Sequence, residues 1–315
     1  MKDILITETA VIILLMVITL VAIAVRRLRL PYTVALVLVG LLMAFQQPLA
    51  VQITPELILA LLIPPLIFEA AFHIDFALLR DNLVPVLTLA VPGVVLTTFI
   101  VGGMVSMGVG MPLTVAAVFG ALIAATDPVA VVASFRSLGG PRRLAVAIEG
   151  ESLFNDGTAI VVYNIAVMAA LSGVFHPLLG LLDFLRVALG GLAVGLALGW
   201  LVAQIITYID DPLIEVTLTT VLAYGAYLAA EWFHVSGVLA VVAAGIINGN
   251  LGPRGMSPTT KIMLYNFWEY VAFLANSLVF LLIGLQVNVP LLLDDLGAIG
   301  VAVVAVLVAR AVAVY

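Results

Sequence analysis

The chain has 315 residues, of which 64% are hydrophobic and only 10% charged, with a net charge of −6 and no cysteine. A soluble domain carries about 25% charged residues, so a mean hydropathy of +1.31 excludes one and points to a polytopic membrane protein. The lack of cysteine rules out disulfides and thiolate metal sites, His73, His176 and His234 are too scattered for a metal cluster, and no basic patch suggests nucleic acid.

A crossing helix needs roughly 20 apolar residues. Eleven segments qualify, near 4–25, 31–46, 56–74, 82–107, 112–136, 142–171, 179–208, 213–230, 235–250, 261–288 and 297–315. The first begins Met1-Lys2-Asp3 and ends at Arg26-Arg27 without a small-residue cleavage site, so it reads as a retained span and not a signal peptide. Connections are brief and no linker or low-complexity stretch intervenes, so residues 1–315 are expected to form a single all-α transmembrane transporter domain.

Lysine and arginine collect in cytoplasmic loops. Arg26, Arg27 and Arg29 follow span one, Arg80 follows span three, Arg136, Arg142 and Arg143 join spans five and six, and Arg254 and Lys261 join spans nine and ten. These are alternate loops, and they hold nine of the 12 basic residues, which predicts an N-terminus outside the cell.

An internal repeat is legible. Leu66-Ile67-Phe68 leads through Ile74-Asp75-Phe76 to Asp81-Asn82-Leu83, and Leu278-Val279-Phe280 leads through Val287-Asn288-Val289 to Asp294-Asp295-Leu296. Span three runs inward and span ten outward, so the repeat is inverted, the sequence mark of a secondary transporter. The expected division is a first repeat at about 4–171, a linker span at about 179–208 and an incomplete second repeat at about 213–315.

Acids inside apolar spans are the candidate site. A carboxylate at the bilayer centre costs about 3 kcal/mol, so Asp127, Glu149, Glu151 and Asp156 would together cost on the order of 10 kcal/mol if idle. In Thr126-Asp127-Pro128, the proline lacks the N–H that would bond the Ala124 carbonyl, and its ring drives Asp127 out of helical geometry. A broken helix at mid-membrane exposes carbonyls and dipole ends, which suits an ion site. On span six, Glu149, Ser152 and Asp156 share one face, and Glu151 and Asn155 the neighbouring one. The first face is expected to meet Asp127 with oxygen ligands for a hard cation. The second is expected to pair elsewhere, Glu151 with the mid-span Arg310. Glu149 equally reads as a solvated acid near Arg142 and Arg143. Glu69, following Pro64 and Pro65, is expected to gate or supplement the site. Gly190, Gly191, Gly195 and Gly199 read as close helix packing, with a dimer interface as one place for it. His73, Trp200, Trp232 and Trp268 read as membrane-interface residues.

Thr126-Asp127-Pro128, the run from Gly150 to Gly157, Phe68-Glu69, Ala309-Arg310 and Phe280 to Gly284 together resemble the NhaP-type sodium/proton antiporters, the branch that includes the animal NHE exchangers. The resemblance implies an inverted-repeat fold of thirteen spans, of which this chain holds eleven, moving a core bundle like an elevator in a homodimer, in the bacterial inner membrane. It implies exchange of Na+, or Li+ or K+, for H+ with no cofactor. It makes Thr126, Asp127, Ser152 and Asp156 ligands of Na+, adds Glu69, and gives Asn155, Glu151, Arg310 and Pro128 supporting roles. Asn155 before Asp156, where electrogenic relatives have two aspartates, implies electroneutral exchange.

The expected mechanism is competition. Cation and proton take the same carboxylate in turn, and only a neutralised site crosses the membrane. The alternatives are a cation channel lined by the same acids and a K+-selective antiporter. Because Tyr315 falls inside an apolar run, the chain is expected to be C-terminally truncated. The repeat offset of 213 residues places the counterparts of Asp127 and Ala170 near roughly 340 and 383, so a native chain of at least roughly 380 residues is expected.

Overall fold

A computed structural model describes residues 2–28, 31–46, 60–126, 128, 131–132, 135, 139–173 and 177–314. Its regular elements are helical. In chain order they are α1 (Lys2–Leu28), α2 (Tyr32–Gln46), α3 (Ile63–His73), α4 (Phe76–Asp81), α5 (Leu83–Thr88), α6 (Val94–Val109), α7 (Leu113–Ala124), α8 (Arg142–Ser172), α9 (Pro177–Ile206), α10 (Pro212–Trp232), α11 (Gly237–Leu251), α12 (Pro258–Gln286), α13 (Val289–Asp294) and α14 (Leu296–Val314). Among the described residues, six helices are long and apolar enough to cross a membrane, and four shorter apolar ones lie at Val11–Val25, Tyr32–Ala44, Leu113–Ala124 and Gly237–Leu251. Part of the expected third span, at 56–59, lies outside the described residues, as do Asp127 and several residues of the fifth.

Contacts divide the chain into two compact units, Met1–Leu66 with Tyr265–Asp294, and Ile67–Leu264 with Asp295–Tyr315. In the first, Leu14, Ile18 and Val21 of α1 bury against Ala35 and Leu36 of α2 and Leu281 of α12. Helices α2 and α12 touch backbone to backbone where Gly40 meets Gly284, because a Cβ on Gly40 would stand 3.1 Å from the Gly284 Cα. Tyr32 seals this contact, its hydroxyl 2.8 Å from Ser277 Oγ and its ring stacked on Phe273 at 5.5 Å. Trp268, expected at the membrane interface, is instead fully buried. It lies on the packed face of α12 with Ala272 and Ala275, so packing has overridden its preference for the boundary.

The second unit carries Glu69, Glu149, Glu151, Asp156 and Arg310. Pro92 lacks the N–H for the regular ladder, and a π turn at Leu89–Gly93 absorbs it between α5 and α6. Gly110, in the left-handed conformation at φ 78°, ends α6 and turns the chain back into α7. Helix α14 packs on this pair, with Ala305 and Ala309 buried against Val101, Val105 and Ala116. The glycines of α9 find their partner within the chain. Gly191 lies on Ser236, Gly195 on Ala240 and Gly199 on Ala244 of α11, the last with only 2.9 Å from a built Cβ to the Ala244 Cα. Both series ascend together, so α9 and α11 run parallel, and this stripe packs an internal contact and not a dimer interface.

Three loops predicted to be cytoplasmic meet at one end of this unit. Arg142 stands 3.7 Å from Asp75, Arg143 donates to Asn82 Oδ1 at 2.8 Å, and Asn250 accepts from the Phe76 N–H and donates to the Ile74 carbonyl. Asp75 also caps α4, accepting from Ala77 and Leu78. At the matching position 213 residues on, Asn288 precedes the short helix α13, with its Oδ1 3.5 Å from the Leu291 N–H.

Candidate functional site

The site begins where α7 stops. Helical geometry ends at Ala124, Ala125 is extended (φ −67°, ψ 138°), and a helical hydrogen bond resumes from the Val132 N–H to the Pro128 carbonyl at 2.8 Å. The discontinuity expected at Asp127-Pro128 is therefore present and opens three residues before the proline. Asp127 itself lies outside the described residues.

Thr126, on the broken stretch, is the hub. Ser152 Oγ donates to its carbonyl at 2.9 Å, Asn155 Nδ2 donates to its hydroxyl at 3.3 Å, and the Arg310 guanidinium donates to the same hydroxyl. Asn155 also donates to Glu151 Oε1 at 3.0 Å, and Arg310 faces that oxygen at 3.5 Å. The local reasons are plain. Ser152, Glu151 and Asn155 fall within little more than one turn of α8, whose unbroken 31 residues hold them rigidly. Arg310 is brought across by the α14 packing on α6 and α7.

The two faces of α8 were expected to work apart, one on the break and one elsewhere. Instead Ser152 from one and Asn155 from the other converge on Thr126. An unwound segment presents its carbonyl and side chain in different directions, so it can serve both faces. The link between Arg310 and Thr126 had no local sequence signal.

Counting lone pairs sharpens the roles. A hydroxyl has two acceptor positions, and those of Thr126 are both engaged, by Asn155 and Arg310. Among the described residues its carbonyl accepts one hydrogen bond, which leaves one lone pair. Ser152 has spent its proton on that carbonyl, so its oxygen keeps its acceptor capacity. A hard cation would therefore meet Ser152 Oγ and the Thr126 carbonyl more readily than the Thr126 hydroxyl. Asn155 Oδ1 is buried, and among the described residues it has no hydrogen-bond partner. Asp156 follows on α8, half-buried.

Glu69 lies on α3 one turn before His73, whose Nδ1 is 3.1 Å from Glu69 Oε1. His73 is thus the partner of an acid, not merely a boundary residue. Glu149 lines a cavity with His73, Asp75 and Arg142.

Similar proteins support the same reading. The chain is 43% identical over 289 residues to the Na(+)/H(+) antiporter ApNhaP of Aphanothece halophytica, covering 91% of this chain and 56% of that protein. It is 42% identical over 306 residues to the Na(+)/H(+) antiporter NhaG of Bacillus atrophaeus, covering 92% of this chain and 58% of the relative. The chain thus spans about half the length of these curated relatives, 56% and 58% respectively. The structure of the sodium proton antiporter MjNhaP1 from Methanocaldococcus jannaschii matches 99% of the chain and 79% of its own at a TM-score of 0.78 and 23% identity, which establishes the fold. The family model described as sodium/hydrogen exchanger, transmembrane, matches residues 11–315. With a broken α7 knotted to α8 and α14 through Thr126, and a family match over nearly its whole length, this chain belongs to the sodium/hydrogen exchanger transmembrane family.

Proposed function

We propose that this protein is a secondary active transporter exchanging Na+, with Li+ and K+ as alternative cations, for H+. The observation that carries the reading is the break after Ala124, where Ser152, Asn155 and Arg310 all anchor Thr126. That arrangement fixes an unwound backbone at membrane depth beside Asp156, and irregular backbone is tolerated there only where it is buried in protein or lines a cavity. Na+ is read as bound by Ser152, Thr126 through its carbonyl, Asp127 and Asp156, with Glu69 contributing at the approach.

In this reading Glu151 and Arg310 neutralise one another outside the transport cycle, leaving Asp127 and Asp156 to alternate between cation and proton. A charge-neutral site crosses at lower cost than a bare carboxylate. Asn155 carries no charge of its own, which favours one-for-one electroneutral exchange. The inverted repeat is supported by the two Asx-preceded short helices, α4 and α13. The resemblance to NhaP-type antiporters supports a homodimer in the bacterial inner membrane, and the basic-loop pattern supports an external N-terminus.

The test is sodium-dependent dissipation of a proton gradient in proteoliposomes holding the full-length transporter. Asp127→Asn and Asp156→Asn each abolish it while the protein remains folded, since an amide cannot trade a proton for a cation. A wild-type rate in Asp156→Asn would overturn the site. Flux that rises without saturation as cation concentration increases would instead favour a channel.

A further inference from the structure

Helix α10 buries one stripe at helical spacing, Glu215, Thr219, Leu222 and Ala226. Glu215 is fully buried, and among the described residues neither of its carboxylate oxygens has a hydrogen-bond partner. The usual partners of an acid in a first helical turn are taken. Asp211 Oδ1 accepts from the Leu213 and Ile214 N–H groups, Pro212 has no N–H, and the N–H of Glu215 itself goes to the Asp211 carbonyl. On α11, Asn248 is equally buried, and among the described residues neither its Oδ1 nor its Nδ2 is hydrogen-bonded. Asn250, by contrast, spends its side chain on Ile74, Phe76 and Ile246.

Helix register brings the two side chains to one level. Helices α10 and α11 form an antiparallel hairpin, in which Gly237 lies against the Tyr227 ring and Glu231. Asn248, three turns further along α11, is therefore level with residues 216–220 of α10, beside Thr219 and within about a turn of Glu215. The α9 contacts converge on the same place. Gly191, Gly195 and Gly199 meet Ser236, Ala240 and Ala244, and the next members of the two series are Ala203, which is buried, and Asn248. Gly255 closes this end, where a Cβ would stand 3.0 Å from the Thr207 Cα. The junction of α9, α10 and α11 thus encloses a carboxylate and an amide at the predicted cytoplasmic end.

No lysine or arginine lies between Arg186 and Arg254 in the sequence, and the α9–α10 loop adds two exposed acids, Asp210 and Asp211. A carboxylate sealed among these helices needs a counter-charge, because an unpaired charge inside protein is costly. A neutral acid and an amide would satisfy each other by exchanging two hydrogen bonds, and neither side chain makes one here. A spherical ion needs no such alignment, and Glu215 Oε1 and Oε2 with Asn248 Oδ1 are the oxygen donors that hard cations prefer. One carboxylate balances one positive charge, which selects a monovalent ion, and no cluster of three acids or histidines suited to a metal of higher charge occurs among the described residues. We propose that Glu215 and Asn248 form a second, structural site for a monovalent alkali cation, which fastens the cytoplasmic ends of α9, α10 and α11. None of the residues that anchor Thr126 takes part, and the ion is held and not transported.

The test is thermal melting of the full-length transporter in detergent, in the chloride salts of sodium, potassium and choline at constant ionic strength. To silence the proposed transport site, the parent for comparison carries Asp127→Asn and Asp156→Asn. Sodium or potassium should raise its melting temperature saturably above the value in choline. Adding Glu215→Gln should abolish that rise while leaving the melting temperature in choline at or above the parent's, because a neutral amide needs no counter-charge. Asn248→Ala should raise the half-saturating cation concentration about tenfold or more, the range for losing one partner at a metal site. In the otherwise wild-type protein Glu215→Gln should remove part of the cation-dependent rise, which carries the test should the double variant fail to fold. An equal rise with and without Glu215→Gln would overturn the site. So would a parent indifferent to both cations, which would leave Glu215 to a proton or to the side chain of Arg254.

Discussion

The guanidinium of Arg310 is hydrogen-bonded to the hydroxyl of Thr126 across 184 residues of sequence, tying α14 to the unwound end of α7. The same guanidinium faces Glu151 at 3.5 Å. One side chain thus neutralises an intramembrane acid and anchors the break.

Glu151 and Arg310 should therefore behave as a structural couple. Truncating a fully buried ion pair costs about 3–5 kcal/mol. Arg310 is 32% exposed, so roughly 2 kcal/mol is expected for Arg310→Ala or Glu151→Ala. The double change Glu151→Leu with Arg310→Met should recover part of that loss, because most of it comes from the orphaned charge. Thermal melting in detergent checks this, and strictly additive losses would reject the pair.

Asn155→Asp replaces a double donor with an acceptor. Asn155 now donates to Glu151 at 3.0 Å and to Thr126 at 3.3 Å. A carboxylate there loses both bonds and stands beside another acid, so the melting temperature should fall. In the fraction that remains folded, the added negative charge should turn the proposed electroneutral exchange into exchange that generates a current. Solid-supported membrane recordings with a sodium jump report it, and a silent, fully active variant would remove Asn155 from the charge balance.

Ser152→Ala should act locally. The hydroxyl donates 2.9 Å to the Thr126 carbonyl and also supplies a candidate cation ligand. Losing the bond costs about 1 kcal/mol of stability. Losing the ligand should weaken apparent sodium affinity by about tenfold, the equivalent of about 1.4 kcal/mol. Ser152→Thr, which keeps the hydroxyl, should restore affinity more than stability, since Ser152 is buried with only 8% exposed.

The α9–α11 contact makes a prediction about folding. A Cβ on Gly195 would overlap the Ala240 backbone, whereas a Cβ on Gly225 meets nothing within 4 Å. Gly195→Leu should therefore prevent accumulation of folded protein. Gly225→Ala should be neutral or stabilise by about 0.5–1 kcal/mol, as alanine does for glycine inside a helix. Fluorescence size-exclusion profiles of both variants decide the matter, and a well-folded Gly195→Leu would mean the two helices can separate.

The sequence alone determined the features that are local in the chain. Apolar run lengths located the helices to within a few residues, as at 142–171 against Arg142–Ser172, because a membrane leaves backbone polar groups no partner but their own helix. The missing N–H of Pro128 foretold the break, and helical spacing grouped Ser152 with Asp156. Features that depend on which faces meet were decided only by the fold. Whether the glycines of α9 faced a partner chain or α11, whether Trp268 reached the boundary or was buried, and whether both faces of α8 served one hub are questions of helix rotation. In a chain apolar on nearly every side, hydrophobic periodicity barely specifies rotation. Backbone approach at small residues and long-range hydrogen bonds do so, and the Arg310 to Thr126 bond exists only because α14 packs on the hairpin that ends at the broken helix.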